Sequence, residues 1–413
     1  MSAASDISPV LYYSSIPNWK YISDWYKDLT YSKFNTDYVL KETVAKVLKG
    51  KENVSPLEKA KLFYNYILEN ITYSNVSFMH GNFIPQKASR TITTRLGDCK
   101  DVSTLFVALC QEVGINANLV LISTRNYGNS TMVPPANDFN HCIAQLNIDT
   151  KKYYLELTDN MLPFGAALLV DLNSEILPIP LANEPFGDKL IRFEMPFRPK
   201  NQTKRTHIIT LNNNDMQIVR QTIQYAAWAS SVRNRCRYIG SEEQLKNMNQ
   251  DVASEFSVPV KVTDLKYTNL DNLADSLIID YKLDVKNAMQ DVAGMKILTF
   301  PWTEKQIPLE AVTEETRKYP LELWSLLSDD TSSEEITINL PKGKQFVEIP
   351  QNIHFECANA SYDLTYDTKV SGKLIARRRI SRKAEQVTVE QYSAFREFLN
   401  HVGESDNKQY AIK

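Results

Sequence analysis

The chain has 413 residues, of which 43% are hydrophobic, 10% aromatic and 23% charged, a composition that excludes a disordered tail, a collagen-like rod and a disulfide miniprotein and leaves room for two or three domains. Forty-seven Lys and Arg against 49 Asp and Glu leave a net charge of −2, so no broad positive field for nucleic acid is expected. Twelve glycines beside 21 tyrosines suit packed β-structure better than flexible linkers.

The amino terminus, Met-Ser-Ala-Ala-Ser-Asp, carries no basic segment followed by an apolar run, so it is not a signal peptide. The longest apolar stretches, such as Leu119–Ile122 and Ala166–Val170, fall far short of the roughly 20 residues a membrane span needs. The expectation is a soluble protein. If the chain is cut from a signal-bearing precursor it is periplasmic or secreted, and otherwise it is cytoplasmic.

The first 70 residues read as helical. Trp19, Ile22, Trp25, Tyr26 and Leu29 recur at helical spacing behind Pro17-Asn18. Ser55-Pro56-Leu57-Glu58 has the form of a capping box with proline at the first helical position, followed by Ala60, Phe63 and Ile67 on one face. From Cys99 onward, Val102, Leu105, Phe106, Leu109, Cys110 and Val113 trace another amphipathic helix that Gly114 stops. Ala117–Ser123, His141–Ile148 and Lys152–Leu157 then read as strands. Pro196, Pro199 and Lys200–Arg205 look like a linker. Beyond it His207–Leu211, Gln217–Tyr225, Ser276–Val285, Glu335–Leu340 and Gly372–Ile380 read as strands, with helices around Glu242–Phe256 and Val389–Val402. The division expected is 1–195 and 196–413, the second part β-rich, sandwich-like or α+β.

The chemistry concentrates in Arg95-Leu96-Gly97-Asp98-Cys99-Lys100-Asp101. A cysteine in the first turn of a helix meets unpaired N–H groups and the positive end of the dipole, which favour a thiolate. Gly97 allows a tight entry to the helix, and Asp98 is placed as its N-cap. His141 follows 42 residues later, with Glu156 and Asp159 at 15 and 18 residues beyond it. Cysteine nucleophile, histidine base and carboxylate orienter is the activation logic of thiol acyl transfer. On an extended strand Glu156 and Asp159 point to opposite faces, so one of them serves.

Gly97-Asp98-Cys99-Lys100-Asp101, Gly114-Ile115-Asn116-Ala117, Phe139-Asn140-His141 and Tyr154-Leu155-Glu156-Leu157-Thr158-Asp159 resemble the motifs of the transglutaminase-like superfamily. Ile71-Thr72-Tyr73 and Ile84-Pro85-Gln86-Lys87-Ala88 fit a bacterial branch typical of Bacteroidetes, whose core is accompanied by a β-rich carboxy-terminal region. The resemblance spans about residues 15 to 180. It implies an α+β, papain-like core with Cys99 as nucleophile, His141 as base and Glu156 standing where the family has aspartate, Asp159 competing for that place. Full-length relatives usually carry a further β-sandwich domain ahead of the core, so a longer precursor is expected.

An oxyanion donor is also required. The Cys99 N–H is the general choice, with Gln86 and Tyr73 as side-chain candidates and Asn140 lining the cleft. The resemblance implies a peptide or protein substrate, with hydrolysis favoured over cross-linking. A catalytically silent binding or scaffold protein and a true protein-glutamine amine transferase are the rival readings. No CxxC pair and no paired-histidine motif occurs, so no metal or cofactor is expected. Cys110, Cys142, Cys236 and Cys357 read as small core residues, and histidines 80, 207, 354 and 401 as structural. The basic cluster of Lys373, Arg377, Arg378, Arg379, Arg382 and Lys383 reads as a solvated strand face.

Overall fold

A computed structural model describes residues 3–75, 83–128, 132–180, 189–194, 199–303, 312–323, 326–327 and 329–413. The chain divides into two compact units, Met1–Pro199 and Lys200–Lys413. Among the described residues, no helix is long and apolar enough to cross a membrane.

Among its described residues, the first unit opens mainly with helices. Helix α1 (Trp19–Thr30) starts where Asn18 accepts the Tyr21 N–H at 2.9 Å, and it buries Trp19, Ile22 and Tyr26. Next come α2 (Tyr38–Val47) and α3 (Pro56–Asn70), which Ser55 caps by accepting the Glu58 N–H at 3.3 Å. A short α4 (Ala88–Thr94) leads into α5 (Cys99–Glu112), whose residues 99–110 are all buried. A helix so enclosed is a central strut, and its apolar residues pack all round instead of on one stripe. Gly114, at φ +73°, takes the left-handed position that closes it.

Five antiparallel strands complete this unit: β1 (Ala117–Ser123), β2 (His141–Ile148), β3 (Lys151–Leu155), β4 (Glu175–Pro178) and β5 (Ile191–Arg192). Their order is β3-β2-β1-β4-β5. The central β1 is buried along its whole length, and α5 lies on it and on β2.

The second unit is built on one eight-stranded sheet, in the order Val260–Thr268, Leu277–Val285, Asp215–Gln224, Gln202–Asn212, Thr331–Asn339, Lys373–Arg382, Ala360–Asp367 and Ile353–Glu356. Neighbours are antiparallel except the central pair Gln202–Asn212 and Thr331–Asn339, which is parallel. The sequence reading overlooked the outer strands and the helix Ala226–Cys236. The linker also ends earlier than expected, because Gln202–Arg205 already belong to the sheet.

The basic strand corrects a sequence expectation. Along Lys373–Arg382 exposed and buried positions alternate, and Arg378 and Arg382 fall on the buried side with Leu374, Ala376 and Ile380. Arg378 bridges Glu334 at 2.5 Å and Asp406 at 2.6 Å and lies over the Trp302 ring, while Arg382 meets Asp330 at 2.5 Å. Lys373, Arg377, Arg379 and Lys383 are solvated, as expected of the whole cluster. Charge counting could not separate them, since both sets carry the same sign and differ only in strand parity. His207 is fully buried against Glu334 at 2.7 Å, whereas His354 and His401 are exposed and His80 lies outside the described residues.

Candidate active site

The site is assembled where α5 begins. Asp98 Oδ1 accepts the N–H groups of Lys100 (3.2 Å) and Asp101 (3.3 Å), and Asp101 Oδ2 accepts the Asp98 N–H at 3.1 Å. This reciprocal box satisfies three donors that a helix end leaves open and pins Cys99 in the first helical position. The buried Lys100 ammonium also pairs with Asp98. Gly97 is required for a different reason from the one expected. Its backbone is not in the left-handed region, but a Cβ there would lie 2.9 Å from Asp101 Cβ and 3.1 Å from Thr91 Cγ2. Residues 72–73 pair in parallel with 96–97, which brings Tyr73 beside the start of α5.

His141 opens β2, opposite Ile122 of β1. Ser103 donates to the Cys142 carbonyl at 3.2 Å, tying α5 to β2 one residue beyond His141. The imidazole Nε2 lies 2.7 Å from Glu156 Oε2, and the Cys99 sulfur is near enough to act on its charge. Glu156 follows the last residue of β3, so strand alternation stops short of it. The Tyr64 hydroxyl of α3 donates to the carbonyls of both Glu156 (2.9 Å) and Leu162 (3.0 Å), curling the chain there. Thr158 gives Glu156 Oε1 its N–H at 2.8 Å and its hydroxyl at 2.6 Å.

The electrostatics follow from these contacts. Burial disfavours a charged imidazole, but the Glu156 carboxylate and the Cys99 sulfur outweigh it and hold His141 well above its usual value. Glu156 is only 1% exposed, and burial alone would raise its pKa, yet His141 and Thr158 keep it below the usual carboxylate range. Tyr73 is pushed up to about 12, first by burial and then by the Cys99 charge. Cys99 is 3% exposed.

The remaining candidates are placed as follows. The Asp159 carboxylate accepts the Met161 N–H at 2.9 Å, and the carboxylate on His141 is that of Glu156. Gln86 is clamped by Asp101, whose Oδ1 accepts its backbone N–H at 2.7 Å and whose Oδ2 accepts its side-chain amide at 2.8 Å. Asn140 gives both ends of its amide to Thr124, accepting at 2.8 Å and donating at 2.7 Å, so it anchors the loop after β1. Cys110, Cys142 and Cys236 are buried, as expected, whereas Cys357 is only half-buried. The sequence reading missed Asp171, which ends a 3₁₀ turn Leu169–Asp171 and stands beside Glu156 and His141. Fifteen residues past Glu156, in Leu-Val-Asp-Leu-Asn, it carries no motif signal.

His141, Glu156 and Asp171 offer ligand-type atoms all within 4.8 Å of one another, the one metal-compatible cluster among the described residues. Two of these groups are already engaged, His141 with Glu156 Oε2 at 2.7 Å and Glu156 Oε1 with Thr158.

Residues 41–155 match the family model of the transglutaminase-like superfamily. They form a transglutaminase-like domain. Residues 295–412 match a domain of unknown function with a solved structure, DUF3858. A crystal structure of a "putative protease" from Parabacteroides distasonis aligns with a TM-score of 0.54 at 10% identity, over 96% of this chain and 59% of that one. At that identity the likeness concerns the fold, and this chain spans 59% of the other protein's length. No curated protein matches the chain significantly. The family match ends at Leu155, so it reaches Cys99 and His141 of the transglutaminase-like domain and stops one residue before Glu156.

Proposed function

We propose that the transglutaminase-like domain is a cysteine acyl-transfer enzyme that hydrolyses peptide-like amides. The observation that supports this most is the 2.7 Å contact of His141 with the buried Glu156 carboxylate, with the buried Cys99 thiol acting on the same imidazole. His141 takes the thiol proton and Glu156 steadies the resulting imidazolium. The thiolate attacks the amide carbonyl, His141 returns the proton to the leaving amine, and water resolves the thioester with the same imidazole as base. The Cys99 N–H at the helix start faces the developing oxyanion, and Asp101 fixes Gln86 next to that turn as a second donor.

Labelling with iodoacetamide tests the activation step. Cys99 of the native chain is expected to label much faster near pH 6 than the thiols of the unfolded chain, because the imidazole beside it takes the thiol proton. Equal rates defeat the reading and favour a silent scaffold. Peptide-amide cleavage that disappears in Cys99→Ala supports hydrolysis, whereas amine incorporation into a glutamine peptide would make the protein an amine transferase.

A further inference from the structure

Asp171 is 1% exposed and is not part of the Cys99–His141–Glu156 sequence of contacts. Its Oδ2 accepts the Leu168 N–H at 3.3 Å, and its Oδ1 meets no N–H or O–H donor. A buried carboxylate with one long hydrogen bond has almost nothing to replace its lost hydration. Glu156 is the opposite case, with His141 and two groups of Thr158 directed at its two oxygens. A carboxyl oxygen of each residue lies within 4.8 Å of the other. Two carboxyl groups buried this close repel unless one carries a proton, and the donor count assigns the proton to Asp171 and the charge to Glu156.

We propose that Asp171 is a positioning residue that holds Glu156 against His141 by donating a hydrogen bond from its own neutral carboxyl. The proposal rests on the reading of Cys99, His141 and Glu156 as a catalytic set. It adds a fourth residue acting through the third. Neutral Asp171 leaves the negative charge on the oxygen that faces the ring and restrains Glu156 from rotating away. The titratable groups facing it are Glu156 and His141, and Cys99, Tyr73 and Tyr64 face that pair in turn. Burial, and next the Glu156 charge, push the Asp171 carboxyl up to about 8. That value agrees with the donor count and follows the pattern of carboxyl pairs whose environments drive them apart.

The test is an NMR titration of the His141 imidazole in the full chain, with iodoacetamide labelling of Cys99 alongside. Asp171→Asn keeps a neutral N–H donor, so the His141 midpoint should stay within about 0.5 unit of wild type. Asp171→Ala removes the donor, and the midpoint should fall by about one unit, with labelling at pH 6.5 slowed about tenfold. A fall of about one unit or more in Asp171→Asn would mean that Asp171 is ionised, and would overturn the proposal. So would an alanine variant that matches wild type in both measurements. If the alanine variant does not fold, the asparagine midpoint decides alone. Failure of the catalytic reading itself shows separately, as a wild-type Cys99 that labels no faster than an unfolded thiol, while the His141 titration still reports on Asp171.

Discussion

Thr158 and Glu156 form a closed local loop: the threonine directs both its N–H and its hydroxyl to Glu156 Oε1, which leaves Oε2 free to meet His141 at 2.7 Å. A glutamate reaches one methylene further than an aspartate, and the Thr158 clamp fixes where its carboxylate ends. Glu156→Ala should therefore slow Cys99 labelling near pH 6 by about 10²-fold, since it removes the partner that keeps the imidazolium charged. Asp159→Asn should change it by less than about threefold, because that carboxylate serves the Met161 N–H. Equal losses in the two variants would return the triad to the alternatives open at the sequence level.

Gly97→Ala offers a packing test. The added Cβ would sit 2.9 Å from Asp101 Cβ, and neither backbone can retreat without breaking the capping box. A destabilisation of about 1–3 kcal/mol is expected from urea unfolding of the variant, with slower Cys99 labelling as Asp101 releases Gln86. An unchanged midpoint would show that the helix entry has slack.

The pH dependence of stability carries a sign that separates the three coupled groups. Asp171 is raised, from 3.8 to about 8, so the folded state binds its proton more tightly and this stabilisation is lost as pH rises from about 4 to 8. His141 is also raised, so its contribution is complete below about 6.5 and is lost as pH rises through its folded value. Glu156 is lowered, so its contribution is present above 4.5 and is lost as pH falls through its folded value. Asp171→Asn removes only the first of these. Its stability relative to wild type should therefore rise by about 1–3 kcal/mol between pH 5 and pH 8 in urea titrations. A flat difference would contradict a neutral Asp171.

In the second unit, Arg378→Met should cost about 3–5 kcal/mol, because it leaves Glu334 and Asp406 buried without their shared cation. Arg377→Met, one residue away on the exposed face and paired with Glu335, should cost less than about 1 kcal/mol. Chemical denaturation of the two variants measures the contrast, and similar losses would contradict the parity of this strand.

Much of the site was legible locally because its signals are short in range. The Asp98 N-cap, the first-turn cysteine and the stop at Gly114 all depend on residues within one or two helical turns. The Ser55 and Asn18 caps were equally readable. Strands at the margins of the eight-stranded sheet were not: Val260–Thr268 has its pattern interrupted by a register shift between Thr263 and Lys266, and Ile353–Glu356 is too short to show one. The same holds for Arg378 and Arg382, whose burial depends on Glu334, Asp406 and Asp330 arriving from other elements.

By itself the sequence determined that a cysteine would begin a helix and a histidine a strand, and that one of two carboxylates would follow. The tertiary structure set the Glu156 carboxylate against His141, because β3 ends at Leu155 and Tyr64 holds the residues that follow. It also brought in Asp171, which no spacing rule reaches. Secondary structure is written in nearest neighbours, whereas the protonation state of a buried carboxyl depends on every charge and donor packed around it.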